Sequence, residues 1–295
     1  MRRAGALIGV ALVLAAAPVK ITGQGTLTLK GLAQPNTLEW TSDGRYTLTT
    51  EDSQLTAAKI KSTGKTLHAE GDVQAVYGKM NVSSDQLDYD LDKKELKLSG
   101  SAKFRNESYE GSADEVTYSV ATQDMTLKGD AHIKGQGTEA TAPALALTGG
   151  KNLELPEGGK IVQEHQEVTA HSIKGELTDN DFFGSLGGPL TFKLDMGGQT
   201  VEVHADSGEK AEGSTVLQLQ SPAISLSSGM LRADRAELDR THSTGRFTGH
   251  VNGEFGEKKF SADEANISFE NGHFKVTLTG SAQITLPSES VAKKP

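Results

Sequence analysis

One beat of about 29 residues runs through most of this chain, and few architectures accommodate it. Each beat holds an Ala-Asp or Ser-Asp step, a short strand, a polar turn, and a second strand centred on glycine. Ser84 and Ala113 lie 29 residues apart, as do Ala233 and Ala262. Gly71, Gly100 and Gly129 keep the same interval, and Gly249 and Gly280 close the series. The 120 residues between Ala113 and Ala233 leave room for three further units, with degenerate anchors at Ala142, Ala170 and Ala205. Ala57 lies 27 residues before Ser84. Eight units, one of them stretched to 35 residues, thus fill residues 53–287. Periods of this size indicate a stacked repeat, because one unit cannot bury its own apolar face.

The repeated strand has an awkward centre. Met125, Leu127, Gly129, Ala131 and Ile133 alternate with Thr126, Lys128, Asp130 and His132, giving one apolar and one polar face. Glycine weakens a strand interior, so its recurrence on the apolar face marks a sharp bend or twist. The turns between strands are polar: residues 91–95, 121–124, 240–245 and 270–273, the last containing Asn271-Gly272. Pro35-Asn36 marks a further turn near the start. No apolar stretch holds a helical period beyond a turn or so. The expected fold is all-β: two-strand units bending together at their glycines into a twisted, V-shaped β-jelly roll over residues 24–287, with two stacked halves as one arrangement. Residues 288–295 read as a disordered polar tail.

Composition narrows the function. The formal charge of −9 argues against nucleic acid, whose binding depends on neutralising phosphates with lysine and arginine. No cysteine is present, which excludes disulfides, thiolate metal sites and cysteine nucleophiles. Arg2 and Arg3 precede an uncharged stretch, Ala4 to Ala17, too short for the roughly 20 residues of a bilayer-spanning helix. Residues 1–17 therefore read as a secretory signal peptide, or as a short N-terminal anchor. Either places the remainder outside the cytoplasm.

The step at Ser84-Asp85 with Gly100, and the step Ala113-Asp114-Glu115 with Leu127-Lys128-Gly129, resemble the OstA-like (LptA) family of periplasmic lipopolysaccharide-transport proteins. Ala233-Asp234 with Gly249 and Ala262-Asp263 with Gly280 match nearly as well. The resemblance implies a partly open jelly roll holding acyl chains in its apolar interior, with the sugars outside. It also implies a periplasmic carrier of lipopolysaccharide or a related envelope glycolipid, travelling toward the outer membrane. Its partners would be inner- and outer-membrane transport components with OstA-like domains, joined end to end, with self-association by the same terminal strands. Leu98, Phe104, Leu127, Ile133, Phe247, Val251, Val276 and Ile284 are the residues expected to line the groove.

Other chemistry finds little support. His68, His132 and His250 occupy the polar phase of their strands, and His165 and His171 lack a third ligand at metal-binding spacing. Residues 88–92 lack the glycine and closing glutamate of a calcium loop. Nothing resembles a nucleophile elbow. No cofactor, metal or catalytic residue is expected. The recurring aspartates 114, 234 and 263 suit backbone amides at a bend. The alternative to a carrier is a β-solenoid scaffold or adhesin-like envelope protein with a filled core.

Overall fold

Alternating side chains and polar turns produce strands joined by short connections, and antiparallel pairing satisfies their backbone groups within the sheet. The computed structural model describes residues 19–30, 39–50, 53–63, 65–77, 79–135, 137–163, 166–178, 181–226, 229–270 and 273–286. The segment 1–17, the Pro35-Asn36 and Asn271-Gly272 turns, His165 and the tail 288–295 lie outside these residues. The described secondary structure is all-β, with every pairing antiparallel and no helix. The chain divides into two compact units, residues 1–154 and 155–295.

In the first unit, β1 (Lys20–Gly23) and β2 (Thr26–Lys30) lie end to end along β3 (Glu39–Thr49). A meander follows: β4 (Ser53–Ser62), β5 (Thr66–Tyr77), β6 (Met80–Asp90), β7 (Glu95–Arg105), β8 (Tyr109–Ser119), β9 (Asp124–Gly135) and β10 (Thr138–Thr148), closed by β11 (Asn152–Leu155).

The second unit runs through β12 (Gly159–Gln163), β13 (Gln166–Thr178), β14 (Asp181–Met196) and β15 (Gln199–Lys210). Its next two strands are each broken in the middle. The first comprises β16 (Val216–Gln220) and β17 (Ala223–Leu226), the second β18 (Gly229–Arg232) and β19 (Arg235–Asp239). The sheet continues through β20 (Thr244–Phe255) and β21 (Lys258–Glu270) to β22 (His273–Thr279) and β23 (Gln283–Thr285), again end to end.

The predicted beat is the bend. Pairing register shifts at Ala57, Ser84, Ala113, Ala142, Ala170, Ala205 and Ala262. The eighth anchor, Ala233, lies in the break between β18 and β19. On the facing strand the chain takes two successive left-handed residues, such as Gly129 (φ 74°) and Asp130 (φ 45°), and the pair recurs at Gly100-Ser101 and Gly249-His250. In β14 the corresponding site reads Gly187-Gly188-Pro189, with a cis peptide before the proline.

Why glycine is needed is visible at Gly129. A Cβ there would sit 2.8 Å from the Cβ of Asp114 on the adjacent strand, in addition to demanding the left-handed backbone. Gly100 against Asp85, Gly249 against Asp234 and Gly280 against Asp263 repeat the contact. The recurring aspartate does have the backbone job expected of it at the last bend, where Asp263 accepts the Ser281 N–H at 2.9 Å.

Candidate functional site

Two rows of inward side chains run across the first unit, one on each side of the bend. Cross-strand neighbours share a face. One row links Ala69, Leu87, Leu98, Val116, Leu127 and Leu145. The other links Ala75, Val82, Phe104, Gly111, Ile133 and Ala140. Gly111 leaves space for the Phe104 ring, since a Cβ would meet it at 2.6 Å. The second unit repeats the plan with Leu219, Ala236, Phe247, Ala265 and Leu278 in one row, and Ile224, Leu231, Gly253, Phe260 and Ile284 in the other.

The rows are mostly buried away from the terminal strands, and no helix or second sheet among the described residues covers them. Within each unit the two arms of the bent sheet therefore cover each other. β14 shows this directly: Phe182 and Leu186 from one arm line the same cavity as Phe192 and Leu194 from the other. Among the described residues the buried polar side chains are Ser, Thr and Gln, and none is charged. No buried side-chain nitrogen or oxygen among the described residues lacks a hydrogen-bond partner.

Charges sit on the outer face. Lys97 pairs with Glu115 at 2.7 Å and, at the equivalent place in the second unit, Arg246 with Glu264 at 2.9 Å. Each pair raises the pKa of its cation, and the Arg246 pair lowers that of Glu264, chiefly by the side-chain hydrogen bond. His68, expected on the polar face, bonds Asp88 at 2.6 Å, and His250 bonds Asp234 at 2.8 Å. The carboxylates of residues 88–92 are all engaged by the chain: Asp88 by His68, Asp90 by the Asp92 and Lys93 amides, Asp92 by Lys65. No group of three or more His, Asp or Glu among the described residues is placed to hold a metal ion.

Of the eight residues expected to line a groove, Leu98, Phe104, Leu127, Ile133, Phe247 and Val251 are at most 2% exposed, packed by their own unit. Val276, opposite the buried Ile267, is half covered. Ile284 shares the face of Phe260 yet is 63% exposed, because no further described strand follows β23. Leu286 beside it is 49% exposed. The first strand pair mirrors this: Leu27 and Leu29 lie opposite buried Ser42 and Trp40 but are 36% and 41% exposed. The charge-free interior is thus sealed mid-unit and uncovered on the terminal strands.

Sequence reasoning missed a cavity of about 50 Å³ in the second unit, bounded by β12, β13, β14, β16 and β19. It lies within the degenerate repeats, where the anchors are faintest. The signal was residues 182–192, which hold three of the nine phenylalanines.

Residues 56–153 match the family described as LptA/(LptD N-terminal domain) LPS transport protein. The resemblance read from the bend motif holds over that segment, the greater part of the first unit. Among solved structures, the chain is similar to LptH, the LptA-homologous periplasmic component of the lipopolysaccharide transport device from Pseudomonas aeruginosa. The two are 12% identical, with 38% of this chain and 82% of that chain covered and a TM-score of 0.33. No curated protein matches the sequence.

Proposed function

We propose that this protein is a periplasmic carrier that takes lipopolysaccharide, or a related envelope glycolipid, by its acyl chains and passes it toward the outer membrane. The observation behind this reading is the charge-free inner face left uncovered on both terminal strands, in a chain whose residues 56–153 match a lipopolysaccharide-transport family. Each methylene that leaves water for such a face gains about 0.8 kcal/mol. Mid-unit the gain is smaller, since the chain's own side chains must first be displaced. Lipid therefore enters at a terminal strand, beside Leu27 and Leu29 or beside Ile284 and Leu286. Among the described residues the outer edges of these strands are unpaired, which suits partner components with OstA-like domains, or a second copy, docking end to end. Residues 1–17 serve as the export signal or anchor. Transport on this reading involves no catalysis and no cofactor.

The test is mass spectrometry of organic extracts from protein purified gently out of its own periplasm. A stoichiometric glycolipid, lost in Val276→Asp or Ile284→Asp while thermal unfolding is unchanged, supports the reading, because Ile284 is 63% exposed and Val276 is only half covered. Protein that emerges lipid-free and also ignores added envelope lipids belongs to a scaffold with a filled interior.

A further inference from the structure

The two arms of the second unit meet at their tips through aromatic rings. Phe255 closes β20 on one arm, and Phe274, near the start of β22, lies on the other. Between them β21 runs from Lys258, opposite Phe255, to Phe269, opposite Phe274. Laid out straight, that stretch of strand would hold its two ends about 36 Å apart. The bend at Ala262 instead brings the Phe255 and Phe274 rings to 5.4 Å between centres. Phe260 stacks on Phe255 at 5.9 Å on one arm, and Phe269 meets Phe274 at 5.2 Å on the other.

Cover fades along this seam. Phe269 is 4% exposed, and the Gly197 turn packs on it so closely that a Cβ there would stand 2.8 Å from the Phe269 Cβ. Phe255, Phe260 and Phe274 are partly exposed, and Ile284, one strand further on, is 63% exposed. The Phe255–Phe274 contact is thus the boundary between the sealed interior and the uncovered terminal face. The first unit closes its seam with a directed bond. Tyr109 opens β8 at one tip, and its hydroxyl donates to the Gly150 carbonyl, in the turn after β10 at the other tip, at 3.1 Å.

Parting the second unit's tips disturbs few other contacts. Pairing of β20 with β21 already lapses between Thr248 and Val251, so a wider angle at the bend leaves the ladders of both arms intact. β22 and β23 pair with separate halves of β21 and follow their own arms. An acyl chain entering between the rings keeps their apolar surface out of water, and so offsets the ring contact it displaces.

We propose that Phe255 and Phe274 form a gate, where the tips of the second unit part to admit an acyl chain between the arms and close again behind it. The gate rests on the reading that the bent-sheet interior accepts acyl chains, and it assigns loading to this seam of the two mouths.

The chain has no cysteine, so a Phe255→Cys, Phe274→Cys double variant of the full secreted protein carries one thiol pair. Dibromobimane, which fluoresces once both thiols have reacted, pins the tips together. Uptake of hexa-acyl lipid A from detergent micelles is then timed by gel filtration. The unbridged double variant is expected to load about two- to tenfold faster than wild type, through loss of the ring contacts. The bridge is expected to slow it by about tenfold or more. Phe255→Leu, apolar but without the ring pair, should repeat the acceleration, and unchanged thermal unfolding of that variant excludes misfolding. Tyr109→Phe, which frees the first unit's tip, should leave the rate unchanged. Equal rates with and without the bridge overturn the gate, as does a faster rate in Tyr109→Phe than in Phe255→Leu. Protein that takes up no lipid A in any form removes the transport reading and the gate with it, whereas uptake indifferent to the bridge removes the gate alone.

Discussion

Replacing Gly129 with alanine tests whether the repeated glycine serves backbone freedom alone or also the close approach of Asp114. The left-handed backbone at φ 74° costs a residue with a Cβ about 1–2 kcal/mol. The new Cβ would also stand 2.2 Å from Asp114 Oδ2 and 2.8 Å from Asp114 Cβ. The oxygen can swing away, but the Cβ is fixed to the adjacent strand. Overpacking of that kind adds typically about 1–3 kcal/mol, for a total near 2–5 kcal/mol. Gly149→Ala is the control in the same unit: its φ is 59° and a Cβ there meets no atom within 4 Å. It should cost the backbone part alone.

Urea unfolding followed by Trp40 fluorescence reads the right unit, since Trp40 is the single tryptophan and is buried there. The excess of Gly129→Ala over Gly149→Ala should be about 1–3 kcal/mol, or several degrees in Tm for a unit of this size. That excess should largely vanish in an Asp114→Gly background. Equal costs for the two alanines, or an excess that survives Asp114→Gly, would refute the reasoning and leave the bend a matter of φ alone.

Three further outcomes are expected. Phe247→Ala, at a site 0% exposed, should destabilise the second unit by about 3–5 kcal/mol in calorimetric unfolding, and a loss under 1 kcal/mol would mean the arms do not pack as described. Asp263→Ala should raise amide hydrogen exchange at Ser281 while leaving the mid-strand amides of β21 protected; unchanged exchange at Ser281 contradicts the hydrogen bond. The Asp88 hydrogen bond, with help from Glu70, raises the His68 pKa above its ordinary 6.5. Its stabilisation is then complete below about pH 6.5 and fades as pH rises through the raised folded value. The stability gap between wild type and His68→Asn should shrink from pH 6 to pH 8, and a constant gap would exclude the linkage.

The bends were legible because they combine a period with a chemical requirement. Ala142, Ala170 and Ala205, faint as motifs, still fall at register shifts. What replaced the motif there was not legible. Gly187-Gly188-Pro189 reaches the same bend through a cis peptide and a close approach of Gly188 to the Asp206 backbone, not through a left-handed pair against an aspartate side chain, so no short pattern marks it. Alternation also identified the inner face correctly at Leu98 and Leu127, and at Val276 and Ile284. It does not say whether another strand covers that face, and so Ile284, inward by phase, ends up in water. A charge at Leu127, fully buried, would probe folding rather than binding, which the sequence alone did not distinguish. The cavity beside Phe192 depends on how two arms meet at a distance in sequence, and local pattern carries no such information.

The two strands of a repeat handle the bend differently. In β6 the buried positions change parity across it, from Val82 and Ser84 to Leu87 and Tyr89, whereas in β7 they keep it, from Leu96 and Leu98 to Ala102 and Phe104. A hairpin of one strand of each kind is therefore the smallest piece that can be copied or lost without turning an apolar face to water. Each such tandem duplication would lengthen the stack by two strand spacings, about 9.6 Å, and leave both terminal strands chemically as they were. Length in this architecture is a countable trait, adjustable by recombination between repeats independently of what either end recognises.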